Sequence, residues 1–166
     1  MRYFLFYNYH QLNQTWEMIP DEFWRKLLSE YFLPGDAVGF KGLSKLVEIE
    51  KYGLLEGVSL VPTGTIQYQP YCISGAVQDV ENYKEQVLLF AWNQRMQSLL
   101  QQISLSELFP DNEYVPTDEL VFTRGDQLLM TASNVDQHLC FYQLSYREKS
   151  MLESFDPGVW RGLIEA

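Results

Sequence analysis

Hydrophobic and polar positions at the start of the chain predict a strand followed by a helix. An unbroken aromatic and apolar run over residues 3–7 is typical of a strand buried on both faces. Pro20 is tolerated in a first helical turn, and the turn-forming stretch 33–36 ends the pattern that follows it. The helix between them presents one apolar face, which consists of Phe23, Leu27, Leu28 and Tyr31.

The next part of the chain has a mixed pattern. Residues 46–50 alternate in part and favour a strand, and a helix over 43–51 is the alternative. Ile66 and Tyr68 favour a further short strand. The nearby Pro70 cannot donate a hydrogen bond to a neighbouring strand, which favours an edge position in the sheet.

The longest predicted element is a helix over about 79–103. Apolar residues recur there at spacings of three and four, from Val80 through Trp92 to Ile103. The stretch 87–92 is apolar on almost every side of such a helix. We therefore expect this part of the helix to lie deep in the core.

Residues of about 119–144 predict a three-stranded antiparallel meander. Alternating and apolar runs in this region are separated by the turn-forming residues 124–126 and 134–137. Ser145 and Glu148, which follow, have the spacing of a capping box. This pattern predicts that another helix begins directly after the meander.

These elements predict an α+β fold with a single globular domain over residues 1–166. Strands and helices do not alternate strictly, which favours a mixed or mainly antiparallel sheet over a parallel one. We expect the sheet, including the meander, to pack against the long helix over about 79–103 and several shorter helices. The chain has 166 residues, of which 46% are hydrophobic, so it is long enough to bury one core.

The charge balance limits the kinds of partner. The chain has 22 acidic and 12 basic residues, a formal net charge of −10. Phosphate backbones and anionic lipid surfaces would be repelled, because affinity for both depends on Lys and Arg. A basic protein partner would be attracted. The same charge also serves simply to keep a protein in solution, so it does not by itself identify a partner.

Cysteine usage and hydropathy favour a cytoplasmic protein. The two cysteines, Cys72 and Cys140, are too few for a disulfide-based scaffold. The apolar run at residues 3–7 is too short for a secretory leader, and no stretch is long and apolar enough to span a membrane.

Residues that carry out chemistry are scarce. His138 and Cys140 are two positions apart on a predicted strand and therefore share a face, which is the best available nucleophile–base pair. The alternative is a small buried thiol beside a histidine with no chemical role. The glycine-rich stretch 35–42 lacks the Gly-Lys-Ser/Thr ending of a phosphate-binding loop. We expect no metal site and no cofactor.

Aromatic residues beside acidic ones are the remaining signal for function. Tyr and Trp anchor many protein interfaces, and the chain has 11 Tyr and 4 Trp. Several lie next to carboxylates in segments with weak periodicity, where they either bind a partner or fold back over the core. The candidate partner-binding residues are Trp16, Glu17, Glu48, Glu50, Tyr52, Asp111, Glu113, Tyr114 and Asp118.

The sequence favours a non-enzymatic binding protein over an enzyme. The first hypothesis is an inhibitor or immunity-type protein that neutralises a basic partner, such as a toxin enzyme, by occlusion. The second is a small enzyme with a site built around His138 and Cys140 or scattered carboxylates. The third is a structural or assembly subunit. The sequence does not indicate an oligomeric state.

Overall fold

The computed structural model describes seven stretches of the chain. They are residues 2–6, 19–41, 61–68, 84–104, 119–133, 138–156 and 163–165.

Eight described strands form one antiparallel sheet. The strands are β1 (Arg2–Phe6), β2 (Ala37–Lys41), β3 (Gly64–Tyr68), β4 (Glu85–Ala91), β5 (Glu119–Arg124), β6 (Gln127–Ser133), β7 (His138–Tyr142) and β8 (Leu163–Glu165). Their order across the sheet is β3-β4-β2-β5-β6-β7-β1-β8, and each neighbouring pair is antiparallel. Strands β5, β6 and β7, from the region of the predicted meander, are direct neighbours.

Three helices accompany the sheet in the described part of the chain. They are α1 (Asp21–Lys26), which continues as one π-helical turn (Leu27–Tyr31), α2 (Gln94–Gln101) and α3 (Tyr146–Phe155). Each residue of the apolar face predicted for the first helix is buried. The capping box at the start of α3 is confirmed, since the side chains of Ser145 and Glu148 each accept a hydrogen bond from the other's backbone N–H. The expected α+β class with a mainly antiparallel sheet is thus confirmed.

The long helix predicted over about 79–103 is wrong. Residues Glu85–Ala91 form β4, and the helix begins only at Gln94. The side chain of Asn93 caps this helix by accepting a hydrogen bond from the Met96 N–H at 2.9 Å. Before that cap, β4 lies between β2 and β3 and exchanges backbone hydrogen bonds with both. Sheet pairing on two sides outweighs the helical spacing of the apolar residues.

Other predictions have mixed outcomes. The strand predicted over 3–7 is confirmed for residues 3–6 as β1, and residue 7 lies outside the described residues. Ile66 and Tyr68 lie in β3, at the edge of the described sheet. The two alternatives for residues 43–51 concern a stretch outside the described residues.

The two faces of the sheet carry different side chains. On one face, residues such as Val38, Phe122 and Phe141 join the helices in the main hydrophobic core. Phe32, which follows the π-helical turn, stacks on Phe122 with ring centroids 3.9 Å apart. The opposite face carries a smaller apolar cluster centred on Val121, and it also carries most of the buried polar side chains of the described strands.

The two ends of the sheet also differ. At one end, here called the short-turn end, the described connections between strands and helices are short, such as the turn at Gly125 between β5 and β6. Strand β3 also begins at this end, at Gly64 opposite Leu89, and it follows the stretch 42–60 outside the described residues. At the other end, here called the row end, lie Phe6, Lys41, Tyr68, Glu119, Ser133 and His138. Each of these residues begins or ends its strand.

Candidate functional site

The candidate partner-binding residues lie outside the described residues. This applies to Trp16, Glu17, Glu48, Glu50, Tyr52, Asp111, Glu113, Tyr114 and Asp118. Their assignment therefore stays a prediction. Each belongs to a segment, 7–18, 42–60 or 105–118, that joins a described strand at the row end.

Polar residues form a row across four neighbouring strands at the row end. Lys41 of β2 lies opposite Glu119 of β5, which lies opposite Ser133 of β6, and Ser133 lies opposite His138 of β7. Directly opposed residues of antiparallel strands share a face and have neighbouring Cβ atoms. The topology thus brings a cation, a carboxylate, a hydroxyl and an imidazole residue to one line on one face.

The middle of this row is buried and hydrogen-bonded. Glu119 and Ser133 are only 6% and 7% exposed. The Tyr68 hydroxyl on β3 donates a hydrogen bond to the Glu119 carboxylate at 2.5 Å. A buried carboxylate is costly unless hydrogen bonds compensate for its lost hydration, so this bond helps to hold Glu119 within the sheet.

Cys140 is adjacent to the row but enclosed. It shares a face with His138, as the sequence predicts, and lies opposite Thr131 of β6. Its side chain is 0% exposed, and it carries a free thiol. Burial, followed by the proximity of Cys140, raises the pKa of the nearby Tyr142. A nucleophile has to reach its substrate, so this enclosure favours the buried-thiol interpretation of Cys140.

An ion-pair network lies at the short-turn end. Asp36, 3% exposed, accepts hydrogen bonds from Arg124 Nε at 2.8 Å and Arg124 Nη2 at 2.9 Å. The carboxylate also accepts from the Leu33 N–H at 2.8 Å. On its other side, Arg124 Nη1 lies 3.8 Å from Glu148 of α3. The network connects the start of β2 with β5 and α3. The hydrogen bond that Arg124 donates to Asp36 raises the pKa of Arg124.

Tyr31 is packed beside this network. Its ring makes an edge contact with Phe141, with centroids 5.9 Å apart. Its hydroxyl is buried and has no hydrogen-bond partner among the described residues. Burial, and then the charge of Glu148, raises the pKa of Tyr31 above its ordinary value.

Sequence reasoning missed the residues that organise both ends. Asp36 stands in a stretch that predicts only a turn, and its partner Arg124 is 88 positions later. Glu119 begins a predicted strand, where an acidic residue is usually solvated. In each case the partner is distant in sequence, so periodicity carries no signal for the pair. The alternation that places Ser133 and His138 at strand ends is the only available clue.

Most of the negative charge belongs to the rest of the chain. The described residues include 11 acidic and 9 basic residues, a net charge of −2, which leaves −8 of the total of −10 elsewhere. The net charge of the described strands and helices is therefore close to zero.

The described part of the chain has neither a cluster of metal-binding side chains nor a membrane-spanning helix. In that part of the chain, no group of three or more His, Cys, Asp or Glu side chains is arranged to hold a metal ion. No helix there has the length and apolar character needed to cross a membrane. Comparisons with protein-family models, with curated proteins and with solved structures find no match to this chain.

Proposed function

We propose that the protein is a non-enzymatic binding protein of the cytoplasm, which inhibits a basic partner by occlusion in the manner of an immunity protein. The observation that supports it is the distribution of charge. A nearly neutral framework, at −2, carries segments with a net charge of −8. Negative charge of this size speeds encounter with a cationic surface and disfavours nucleic acids.

Occlusion requires the charge to be held against the partner. In this proposal, carboxylates such as Asp111 and Glu113 pair with the cations of the partner's substrate groove. Aromatic side chains such as Tyr114 and Trp16 fill pockets near the centre of the contact. Binding residues on segments supported by a rigid framework are common, because the framework limits the ordering cost of binding.

The test is affinity capture from the native host with three forms of the full chain. They are the wild type, an acid-neutralised variant (Asp111→Asn, Glu113→Gln, Asp118→Asn) and a matched control (Asp21→Asn, Glu30→Gln, Asp126→Asn). The three residues of the control are exposed in the described framework, and its change in net charge is the same. We expect the wild type and the control to capture the same basic protein, and the acid-neutralised variant to lose it.

Association kinetics with the captured protein complete the test. We expect the association rate to fall steeply with added salt, since salt screens the attraction. A captured partner with an acidic surface would contradict the proposal. So would a loss of capture that is equal in the two variants, because net charge alone would then explain the binding.

An enzyme remains the second candidate, favoured by one observation. His138 is opposite Ser133, which is opposite Glu119, so acid, hydroxyl and imidazole residues occupy one row. The single variant His138→Ala separates the two functions. Under the binding proposal, it captures the partner as well as the wild type does. Under the enzyme alternative, it abolishes turnover of whatever substrate is found.

A further inference from the structure

We propose that two copies of the chain form a dimer in which strand β3 pairs antiparallel with β3 of the second copy, around a two-fold axis at Ile66. Strand β3 is the edge of the described sheet. It pairs with β4 on one side, and no strand in the described part of the chain pairs with its other side. An edge strand turns the backbone N–H and C=O groups of alternate residues outward, where another strand can bind them.

The outer side of β3 is accessible and carries none of the usual protection. The side chains of Thr65 and Gln67 are exposed, and Ile66 is half-buried. Proteins commonly protect a sheet edge with charged side chains, with a proline in the strand or by making the strand very short. Strand β3 has five uncharged residues and no proline. At the other edge of the described sheet, β8 has only three residues and ends at Glu165.

The surroundings of β3 favour a second copy over a charged partner. Val61 and Leu88, at 66% and 52% exposed, are two of the four large hydrophobic side chains that are exposed in the described part of the chain. Leu88 of β4 lies opposite Thr65, and Val61 precedes β3 by three positions. Residues 61–68 and 86–91 carry no charge. A cationic partner would find no opposite charge at this edge, whereas a second copy presents the same uncharged and partly apolar surface.

The sequence of β3 fits its own copy in the antiparallel register that pairs all five residues. Ile66 then lies opposite Ile66 of the second copy, and Thr65 lies opposite Gln67. Pairs of β-branched side chains and hydrogen-bonding polar pairs both stabilise antiparallel strands. Tyr68 lies opposite Gly64, where even a Cβ atom would meet nothing within 4 Å, so the ring has room. Because each copy uses its β3 edge once, the two-fold contact is closed and ends at a dimer.

Sedimentation velocity of the full chain between about 1 µM and about 300 µM tests for the dimer, since a contact of micromolar affinity is detectable in this range. The edge variant combines Thr65→Lys with Gln67→Lys, which places lysine opposite lysine across the two-fold axis. The matched control combines Ser98→Lys with Ser150→Lys at exposed positions of α2 and α3. Both variants change the net charge from −10 to −8, since each adds two positive charges.

We expect the wild type and the control to shift from monomer to dimer as the concentration rises. The edge variant should dimerise at least about ten-fold more weakly, a change of about 1.4 kcal/mol. The reduced net charge by itself would favour association in both variants, so a loss that is confined to the edge variant identifies β3.

Disulfide cross-linking tests the register. One chain carries Thr65→Cys and a second, tagged chain carries Gln67→Cys, both with Cys72→Ser, while Cys140 is buried. Opposed residues have neighbouring Cβ atoms, whereas two residues at position 65 are diagonal to each other and farther apart. Under mild oxidation, we expect the mixture to give about three-fold more cross-linked dimer than either chain gives alone.

Three results would overturn the dimer. They are a wild type that stays monomeric over the whole concentration range, an edge variant that dimerises as tightly as the wild type, and cross-linking that is equal in the mixture and in the single chains. Thermal unfolding shows whether the edge variant folds, and if it does not, the cross-linking alone decides. None of these results depends on a basic partner, which capture from the host tests separately.

Discussion

At the scale of single residues, Asp36 illustrates how one side chain ties distant parts of the chain together. Its carboxylate joins the start of β2 to the end of β5 through Arg124 and accepts a hydrogen bond from the Leu33 N–H. Asp36 is almost fully buried, whereas Arg124 is 39% exposed, so solvent screens part of the attraction. The pair is therefore expected to contribute less than a fully buried ion pair.

Replacement of the Asp36 carboxylate tests the contribution of its pair with Arg124 to stability. Asp36→Asn retains the shape of the side chain but removes the charge that Arg124 faces, and we expect it to lower the free energy of unfolding by about 2 kcal/mol. Urea denaturation gives the measurement. Asp126→Asn, at an exposed turn position, serves as control and should change the free energy by less than about 0.5 kcal/mol. A loss that is equal in the two variants would show that the pair does not stabilise the fold.

Tyr31 gives a pH dependence whose direction follows from its surroundings. Burial and the nearby Glu148 raise the pKa of its hydroxyl. Above pH 10, the tyrosine ionises in the unfolded chain but stays protonated in the folded one. The folded state then binds more protons, so its stability is complete below pH 10 and falls as the pH rises further.

Tyr31→Phe removes this group from the titration. Between about pH 10 and pH 11, we expect the variant to lose about 1 kcal/mol less free energy of unfolding than the wild type loses. At neutral pH the change should be neutral or slightly stabilising, because the removed hydroxyl has no hydrogen-bond partner among the described residues. Urea denaturation at each pH is the measurement. Tyr146→Phe, at a side chain that is 87% exposed, should follow the wild-type curve.

At the scale of elements, the contact between β2 and β4 depends on the absence of a side chain. A Cβ atom at Gly39 would lie 2.5 Å from Val87 Cγ1 and 2.9 Å from the backbone oxygen of Leu88. The second of these atoms belongs to the backbone of β4 and cannot rotate away. Strands β2 and β4 would have to move apart, which would disrupt the sheet between β3 and β5.

Two glycine variants test this contact. We expect Gly39→Ala to lower the free energy of unfolding by about 2 kcal/mol, since overpacking costs of this order are typical. Gly64→Ala is the matched control in β3, on the other side of β4, where a Cβ would meet nothing within 4 Å. Thermal unfolding should leave the control within about 0.5 kcal/mol of the wild type. If both variants lose the same free energy of unfolding, the cost at Gly39 comes from strand propensity and not from the close approach of β2 and β4.

The same strands show what a sequence predicts well. Turn chemistry at Gly125 and the capping box at Ser145 are local signals, because the residues that form each structure are within four positions of one another. The helix predicted through β4 failed because apolar residues such as Val87 and Leu88 satisfy both periods over a short run. Pairing with β2 and β3, which lie elsewhere in the sequence, sets the strand conformation of β4, and the cap at Asn93 sets where the helix begins.

At the scale of the whole molecule, charge repulsion is expected to limit stability. A net charge of −10, most of it outside the framework, opposes the compact state. Raising NaCl from about 10 mM to about 500 mM screens this repulsion and should raise Tm by about 2–4 °C.

Calorimetric or fluorescence melting of the acid-neutralised variant and its matched control provides the comparison. The variant at 111, 113 and 118 should show a smaller salt dependence of Tm than the control at 21, 30 and 126, because it removes charge from the most acidic stretch. A Tm that falls with salt would mean that attractive pairs, such as Asp36 with Arg124, outweigh the repulsion.

The candidate site was predictable in part at this scale. Net charge and the proximity of His138 to Cys140 follow directly from residue order. The row of Lys41, Glu119, Ser133 and His138 does not, because it depends on the register of four strands separated by long stretches of chain. The single-domain organisation and the nine candidate partner-binding residues stay predictions.

The difference between the two ends has a practical consequence for attachment to a surface. Asp126, in the turn between β5 and β6, is exposed and far along the strands from Glu119. With Cys72 replaced by serine and Cys140 buried, a thiol introduced there by Asp126→Cys would attach the immobilised molecules to a biosensor chip through this turn. The end of the sheet with Glu119 and Ser133 would then face the flowing solution.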